Sequence, residues 1–217
     1  MAARDYGQYC GVTRALELIG ERWALLIVRD LLVGPRRYSE LADGLPRIPS
    51  NILAARLKDL QEAGVIRRLP RSRVIIYDLT PYGRELEPVV LALGAWGFKA
   101  MGDPRPEQVV TPDSMTVALR TAFRADVAAE LPATAYEARF DRAELLIRVD
   151  GPRLDVRRGN GPADLAFAVG PGIRGLIAGE LAPGQAIRTG VVEVLHGRSE
   201  LLERFASTFH LPSGRAA

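Results

Sequence analysis

The chain is predicted to be an α+β protein of two domains, and three observations predict it. Apolar residues recur at helical spacing through most of the first hundred positions. Pro104, Pro106 and Pro112 then interrupt any regular element. Beyond them, Tyr136, Ala138 and Phe140, and again Leu145, Ile147 and Val149, alternate with polar residues at the period of a half-buried strand. The expected organisation is a front domain over 9–102, a linker over 103–112 and a rear domain over 113–211.

Composition narrows the class. The 217 residues are 47% hydrophobic and 25% charged, as in an ordinary globular chain. No apolar run reaches the length needed to cross a bilayer, and the first residues lack the apolar stretch of a signal peptide, so a cytoplasmic protein without a membrane partner is expected. The single cysteine, Cys10, excludes an internal disulfide framework and a cysteine-rich metal site. The formal charge is +3, and all of the basic excess lies before residue 104. Between Arg47 and Arg73 the bases Arg47, Arg56, Lys58, Arg67, Arg68, Arg71 and Arg73 meet only Asp59 and Glu62, the footprint of a surface that approaches phosphates.

The front domain reads as helices followed by a hairpin. Thr13 is placed to cap a helix over 13–19. Residues 21–33 are apolar nearly all round and make a buried central helix, stopped by Gly34-Pro35. A short helix over 39–45, a turn at Leu45-Pro46 and a longer helix over 50–63, closed by Gly64, form a helix-turn-helix. Segments 65–69 and 73–79 are β-rich, and Pro70-Arg71-Ser72 makes the basic turn of a wing. Thr80-Pro81 then opens one amphipathic helix with Leu86, Val90, Leu93 and Trp96 on or near one face, a natural dimer contact.

In the rear domain a helix over 113–125 precedes strands over 133–140, 143–150, 154–158 and 164–169, read as an antiparallel meander. Helices over 173–181 and 199–209 flank a last strand over 191–195.

On the helix from Ser50, a turn of about 100° per residue puts Leu53, Leu57 and Leu60 on one face, with Asn51, Ala55 and Lys58 opposite and Ala54 beside them. The apolar face packs and the other fits the major groove, where Asn51 pairs with adenine, Lys58 reaches guanine or phosphate, and Ala54 and Ala55 allow close approach. Ser50, Arg71 and Arg73 complete the expected DNA-binding set, the wing arginines meeting backbone or minor groove. Arg56 lies to the side of the helix, suited to either an ion pair or a phosphate.

The run from Cys10 through Gly20-Glu-Arg-Trp23 to Tyr38, then Ser50-Asn-Ile-Leu-Ala-Ala-Arg-Leu-Lys-Asp-Leu, then Tyr77-Asp-Leu-Thr-Pro-Tyr-Gly, closely resembles the HxlR family of bacterial winged-helix regulators. The resemblance covers 9–102 and implies a homodimer on double-stranded DNA at a pseudo-palindromic operator, joined through the terminal helices of the domain. That family often carries Cys-Pro where this chain has Cys10-Gly11, and in some members the cysteine senses oxidants or electrophiles. Cys10 is therefore a candidate redox sensor, with Arg14 one turn on as a source of positive charge. The alternative is a small buried residue at a dimer contact.

The stretch 155–209, with Asp164-Leu-Ala-Phe-Ala-Val-Gly, Leu176-Ile-Ala-Gly-Glu-Leu-Ala-Pro-Gly-Gln-Ala and Gly197-Arg-Ser-Glu-Leu-Leu-Glu-Arg-Phe, resembles sterol-carrier-protein-like domains. The resemblance implies an α/β layer with an apolar cavity for a hydrophobic effector, for which Phe140, Ile147, Phe167, Leu176, Ile177, Leu181 and Phe205 are candidate lining residues as well as plain core. Gly170-Pro-Gly-Ile-Arg-Gly spells a dinucleotide-binding outline, but an antiparallel meander is the wrong setting for it. No cofactor or metal is expected. His196 and His210 stand without a paired carboxylate or nucleophile, so no enzyme is expected. A DNA-binding transcriptional regulator, with affinity modulated by a hydrophobic effector, is the leading expectation. The alternatives are a lipid or acyl-group carrier or enzyme whose front half only mediates assembly, and a rear domain that serves as a dimerisation platform.

Overall fold

A computed structural model describes residues 5–71, 73–140, 143–170 and 172–214. The chain divides into two compact units, Met1–Val90 and Leu91–Ala217.

The front unit contains α1 (Gly11–Ile19), α2 (Ala24–Val33), β1 (Arg36–Arg37), α3 (Tyr38–Gly44), α4 (Ser50–Glu62), β2 (Ile66–Arg71), β3 (Val74–Leu79) and α5 (Pro81–Arg84). Ile27, Val28 and Leu31 of α2, Leu41 of α3 and Leu53, Leu57 and Leu60 of α4 are buried, so the apolar face expected of the 50–63 helix is its packed face. The central helix starts later than its sequence suggests, because Trp23 takes a left-handed φ of 81° ahead of Ala24.

The sheet is antiparallel in the order β1-β3-β2. Two arginines carry too little pattern to reveal β1, which forms by pairing Arg36 and Arg37 with Tyr77 and Ile76. β2 runs through Pro70 and Arg71, which were expected in the turn, and pairs Arg71 with Val74. Ser72, the last residue of that expected turn, lies outside the described residues.

α4 ends in a Schellman motif. Gly64 has φ 71° and donates to the Gln61 carbonyl, and the Val65 N–H donates to Leu60 O at 2.9 Å. As expected, Thr80 caps the next helix, accepting from Gly83 N at 3.0 Å, and its hydroxyl also donates to Gly64 O at 2.6 Å.

The single helix expected after Thr80 is two helices, α5 and then α6 (Glu87–Phe98). Pro88 has no N–H to give and is tolerated only in a first turn, so a fresh helix must begin just before it. Phe98 belongs to the core of the rear unit, with Ala95 packed against it. The division therefore falls within α6, at Val90 and Leu91, ahead of the cut expected at residue 102.

The rear unit continues with α7 (Pro112–Ala122), α8 (Ala125–Ala129), β4 (Thr134–Phe140), β5 (Ala143–Asp150), β6 (Arg153–Arg158), β7 (Leu165–Val169), α9 (Ile173–Ile177), α10 (Pro183–Arg188), β8 (Val192–Gly197) and α11 (Leu201–Thr208). Thr111 and Ser114 cap α7 reciprocally. The strands are ordered β6-β5-β4-β7-β8, and β4 pairs with β7 in parallel.

The expected meander is thus corrected. A meander would place the wholly apolar Leu-Ala-Phe-Ala-Val strand beside arginine-rich β6. Parallel pairing with β4 instead puts β7 inside the sheet, covered on both sides by neighbours. α10 was not anticipated, and the helix expected over 173–181 stops at Ile177, followed by Gly179 at φ 70°.

Where α5 passes β2, a Cβ added to Gly83 would lie 2.0 Å from Val65 O, whereas one at Gly97 would meet nothing within 4 Å. Gly83→Ala is expected to cost about 1–3 kcal/mol or more through overpacking. Gly97→Ala, in the last turn of α6, is expected to be neutral or stabilising by up to about 1 kcal/mol. Thermal denaturation of the two variants checks the pair, and equal melting would remove the close-packing account.

Candidate nucleic-acid interface

Local sequence sets up α4. The Glu40 carboxylate reaches back to accept from Arg37 N at 2.6 Å at the start of α3, and the Tyr38 hydroxyl donates to Ser50 O at 2.8 Å, tying the starts of α3 and α4 together. With Leu53, Leu57 and Leu60 buried, α4 turns Ser50, Asn51, Ala54 and Lys58 to solvent, and Ala55 is half-buried. Lys58 lies 3.7 Å from Glu62 on the exposed surface.

Arg56 has a different place. Its side chain is only 12% exposed, bonds to Asp59 and stands 3.4 Å from Glu21. Of its two expected roles, the structural ion pair is the one its surroundings provide: it ties α4 to the segment that precedes α2.

At the wing, Arg71 and Arg73 flank the turn and are exposed, as is Arg68. The base of the wing is held by a group that pattern reading missed. Asp78 is buried at 4% exposure on β3, with Arg67 at 2.8 Å from the facing strand and Arg84 at 2.7 Å from α5. A buried carboxylate needs such partners. An aspartate in the β-rich segment 73–79 was the available signal, because a charge on a strand that packs must be paired.

Exposed Cys10 precedes α1. The backbone amides of Thr13 and then Val12, at the open start of that helix, together with the Thr13 hydroxyl, lower the thiol pKa below its ordinary value, without closing a capping hydrogen bond of good geometry. The expected source of charge, Arg14, is instead engaged with Glu17 at 3.0 Å. Cys10 is exposed in the single chain, as a residue that packs at a dimer contact would also be.

The seven rear-unit candidates share one interior. Phe140, Ile147, Phe167, Leu176, Ile177 and Phe205 are buried in a common core, with Leu181 packed against it. Phe205 meets Tyr136 edge-on at 5.3 Å, Phe167 at 5.1 Å and Phe209 at 4.7 Å between ring centroids. Tyr136 was missing from the expected set. Its hydroxyl is buried without a hydrogen-bond partner among the described residues, and burial pushes its pKa up to about 12. The glycine-rich run at 170 does not open a parallel βαβ unit, because β8 returns antiparallel to β7.

A capped short helix, a longer helix with a polar outer face and a three-stranded sheet ending in a basic hairpin define a winged helix-turn-helix protein. The model of the HxlR-like helix-turn-helix family matches residues 18–104. The chain is 44% identical over 99 residues to the uncharacterized HTH-type transcriptional regulator Rv3095 of Mycobacterium tuberculosis, covering 44% of this chain and 61% of that protein. It is 37% identical over 86 residues to YvaP of Bacillus subtilis, covering 38% of this chain and 80% of that one. To the HTH-type transcriptional regulator YodB of Bacillus subtilis it is 39% identical over 85 residues, covering 38% and 76%. The chain belongs to the HxlR-like helix-turn-helix family.

Because hydrogen-bond donors at the start of α1 favour the thiolate, alkylation of Cys10 by iodoacetamide is expected to reach half-maximal rate at a pH below that of a free cysteine peptide. Thr13→Val, lacking the hydroxyl, is expected to raise that midpoint. A wild-type midpoint at or above the peptide's removes the assignment.

Proposed function

We propose that the protein is a DNA-binding transcriptional regulator that acts as a homodimer on a pseudo-palindromic operator, its affinity modulated by a hydrophobic effector held in the rear unit. The observation that carries the reading is the two-faced α4, which buries its leucines and turns Ser50, Asn51, Ala54 and Lys58 outward next to the exposed Arg71 and Arg73. An α-helix with such a face fits the major groove, where an asparagine reads adenine, while wing arginines neutralise phosphate.

Homodimerisation is supported by uncovered apolar side chains on the terminal helices. α6 exposes Val89, Leu93 and, at 72%, Trp96, spaced as one stripe, and α1 exposes Val12 and Leu16. Two such copies reading one face of the duplex would contact half-sites about 34 Å apart. The effector reading is supported by the aromatic and aliphatic interior around Phe205, with the unpaired Tyr136 hydroxyl as a polar handle.

Titration of the protein against its own upstream DNA across a salt series tests the core of this. Arg71→Ala with Arg73→Ala is expected to weaken all duplex binding and to lower the slope of log affinity against log salt by about 0.9 per lost phosphate contact. Asn51→Ala is expected to cost about 1–3 kcal/mol on the preferred fragment alone. Sedimentation should show a dimer that Trp96→Glu with Leu93→Glu dissociates. A wild type without preference for any duplex would defeat the regulator reading.

For the rear unit, a fluorescent fatty acid is expected to bind saturably and to change affinity for the preferred fragment. Without either effect the effector falls while the DNA-binding reading remains.

A further inference from the structure

We infer that a cleft beside the start of α4 seats a phosphodiester of the DNA backbone, with Arg22 and Arg47 as its cations; this rests on the DNA-binding reading above. The cleft has a volume of about 390 Å³ and lies wholly within the front unit. Its wall is formed by Trp23, Pro49 and Ile52, and it is lined by the cations Arg22, Arg47 and Arg56 together with one carboxylate, Glu21. Arg56 is held by Asp59 and Glu21. Arg22 and Arg47 are exposed, and the Arg22 guanidinium stands 5.3 Å from the centre of the Trp23 ring, a cation–π contact that steadies it at the cleft.

Two helices begin here. α2 starts after Trp23 and α4 after Pro49, and neither has a side-chain cap or an acidic residue in its first turn. A helix start presents open N–H groups and a partial positive charge. Arginines set beside two such starts add charge of the same sign, which disfavours the empty protein. An anion relieves both at once, accepting hydrogen bonds from backbone amides and pairing with the guanidinium groups.

Among the described residues Trp23 is the non-glycine residue with positive φ, a conformation that costs energy and is retained where surrounding structure enforces it. That residue joins Arg22 to α2.

Asn51, Ala54 and Lys58 do not line the cleft, so it flanks the base-reading face. Contacts in that position fix register on the duplex without reading sequence.

The test compares wild type with Arg22→Gln, Arg47→Gln and the double variant, across a salt series, on the preferred upstream fragment and on a duplex of scrambled sequence. Each glutamine is expected to lower the slope of log affinity against log salt by about 0.9, with the same fold loss on both duplexes. Arg22→Lys and Arg47→Lys, which fold with the charge retained, are expected to keep the wild-type slope.

If wild type binds duplex and the glutamine variants keep its slope, the cleft assignment is overturned while the regulator reading stands. Lysine variants that lose the slope as glutamine does also overturn it. Wild type that binds no duplex defeats both readings. Inorganic phosphate at constant ionic strength separates the sources of the anion: a saturable rise in melting temperature that the double variant loses, with an unchanged DNA slope, would make the cleft a free-anion site and overturn the proposal.

Discussion

The front unit depends on one junction, where the end of α4, the start of β2, the end of β3 and the start of α5 meet. Gly64 reverses the chain with a left-handed φ, the Thr80 hydroxyl donates to its carbonyl, and Gly83 passes so close to the Val65 carbonyl that no side chain fits between them. The angle between α4 and the wing is set by these short hydrogen bonds and this backbone contact, together with the arginines gathered on Asp78. A rigid junction of this kind costs less ordering on binding than a mobile one.

Charge in this unit is divided between holding and reaching. Asp78 gathers Arg67 and Arg84 at the wing base, and Arg56 is drawn in by Asp59 and Glu21. Arg22, Arg47, Arg68, Arg71 and Arg73 remain exposed. A basic stretch in the sequence is therefore a mixture, and a count of arginines overstates the number available to a polyanion.

The rear unit is organised by a different rule. The most apolar strand takes an interior place in the sheet, Phe205 of α11 closes over the sheet through Tyr136 and Phe167, and Arg139 bridges the buried Glu137 and the partly exposed Glu144. The candidate ligand residues and the core residues are one set. For a domain of this kind, a pocket and a packed interior draw on the same apolar side chains.

Much of the architecture was legible in the sequence. Periodicity gave the buried face of α4, the positions of β4 and β5 and the outward placement of Asn51 and Lys58, because burial imposes 3.6-residue and 2-residue repeats on any chain. Thr80-Pro81 and Gly64 marked helix ends, because cap chemistry and left-handed backbone are local requirements.

The tertiary structure decided what depends on partners distant in the chain. It made Arg56 an ion-pair residue, formed β1 from two arginines, buried Asp78 between two cations, set β7 parallel to β4 and moved the unit boundary into α6. Each of these turns on which groups meet across tens of residues. Local propensity and spacing carry no information about such meetings, whereas the cost of leaving a charge unpaired or an apolar strand without matching neighbours settles them once the chain is folded.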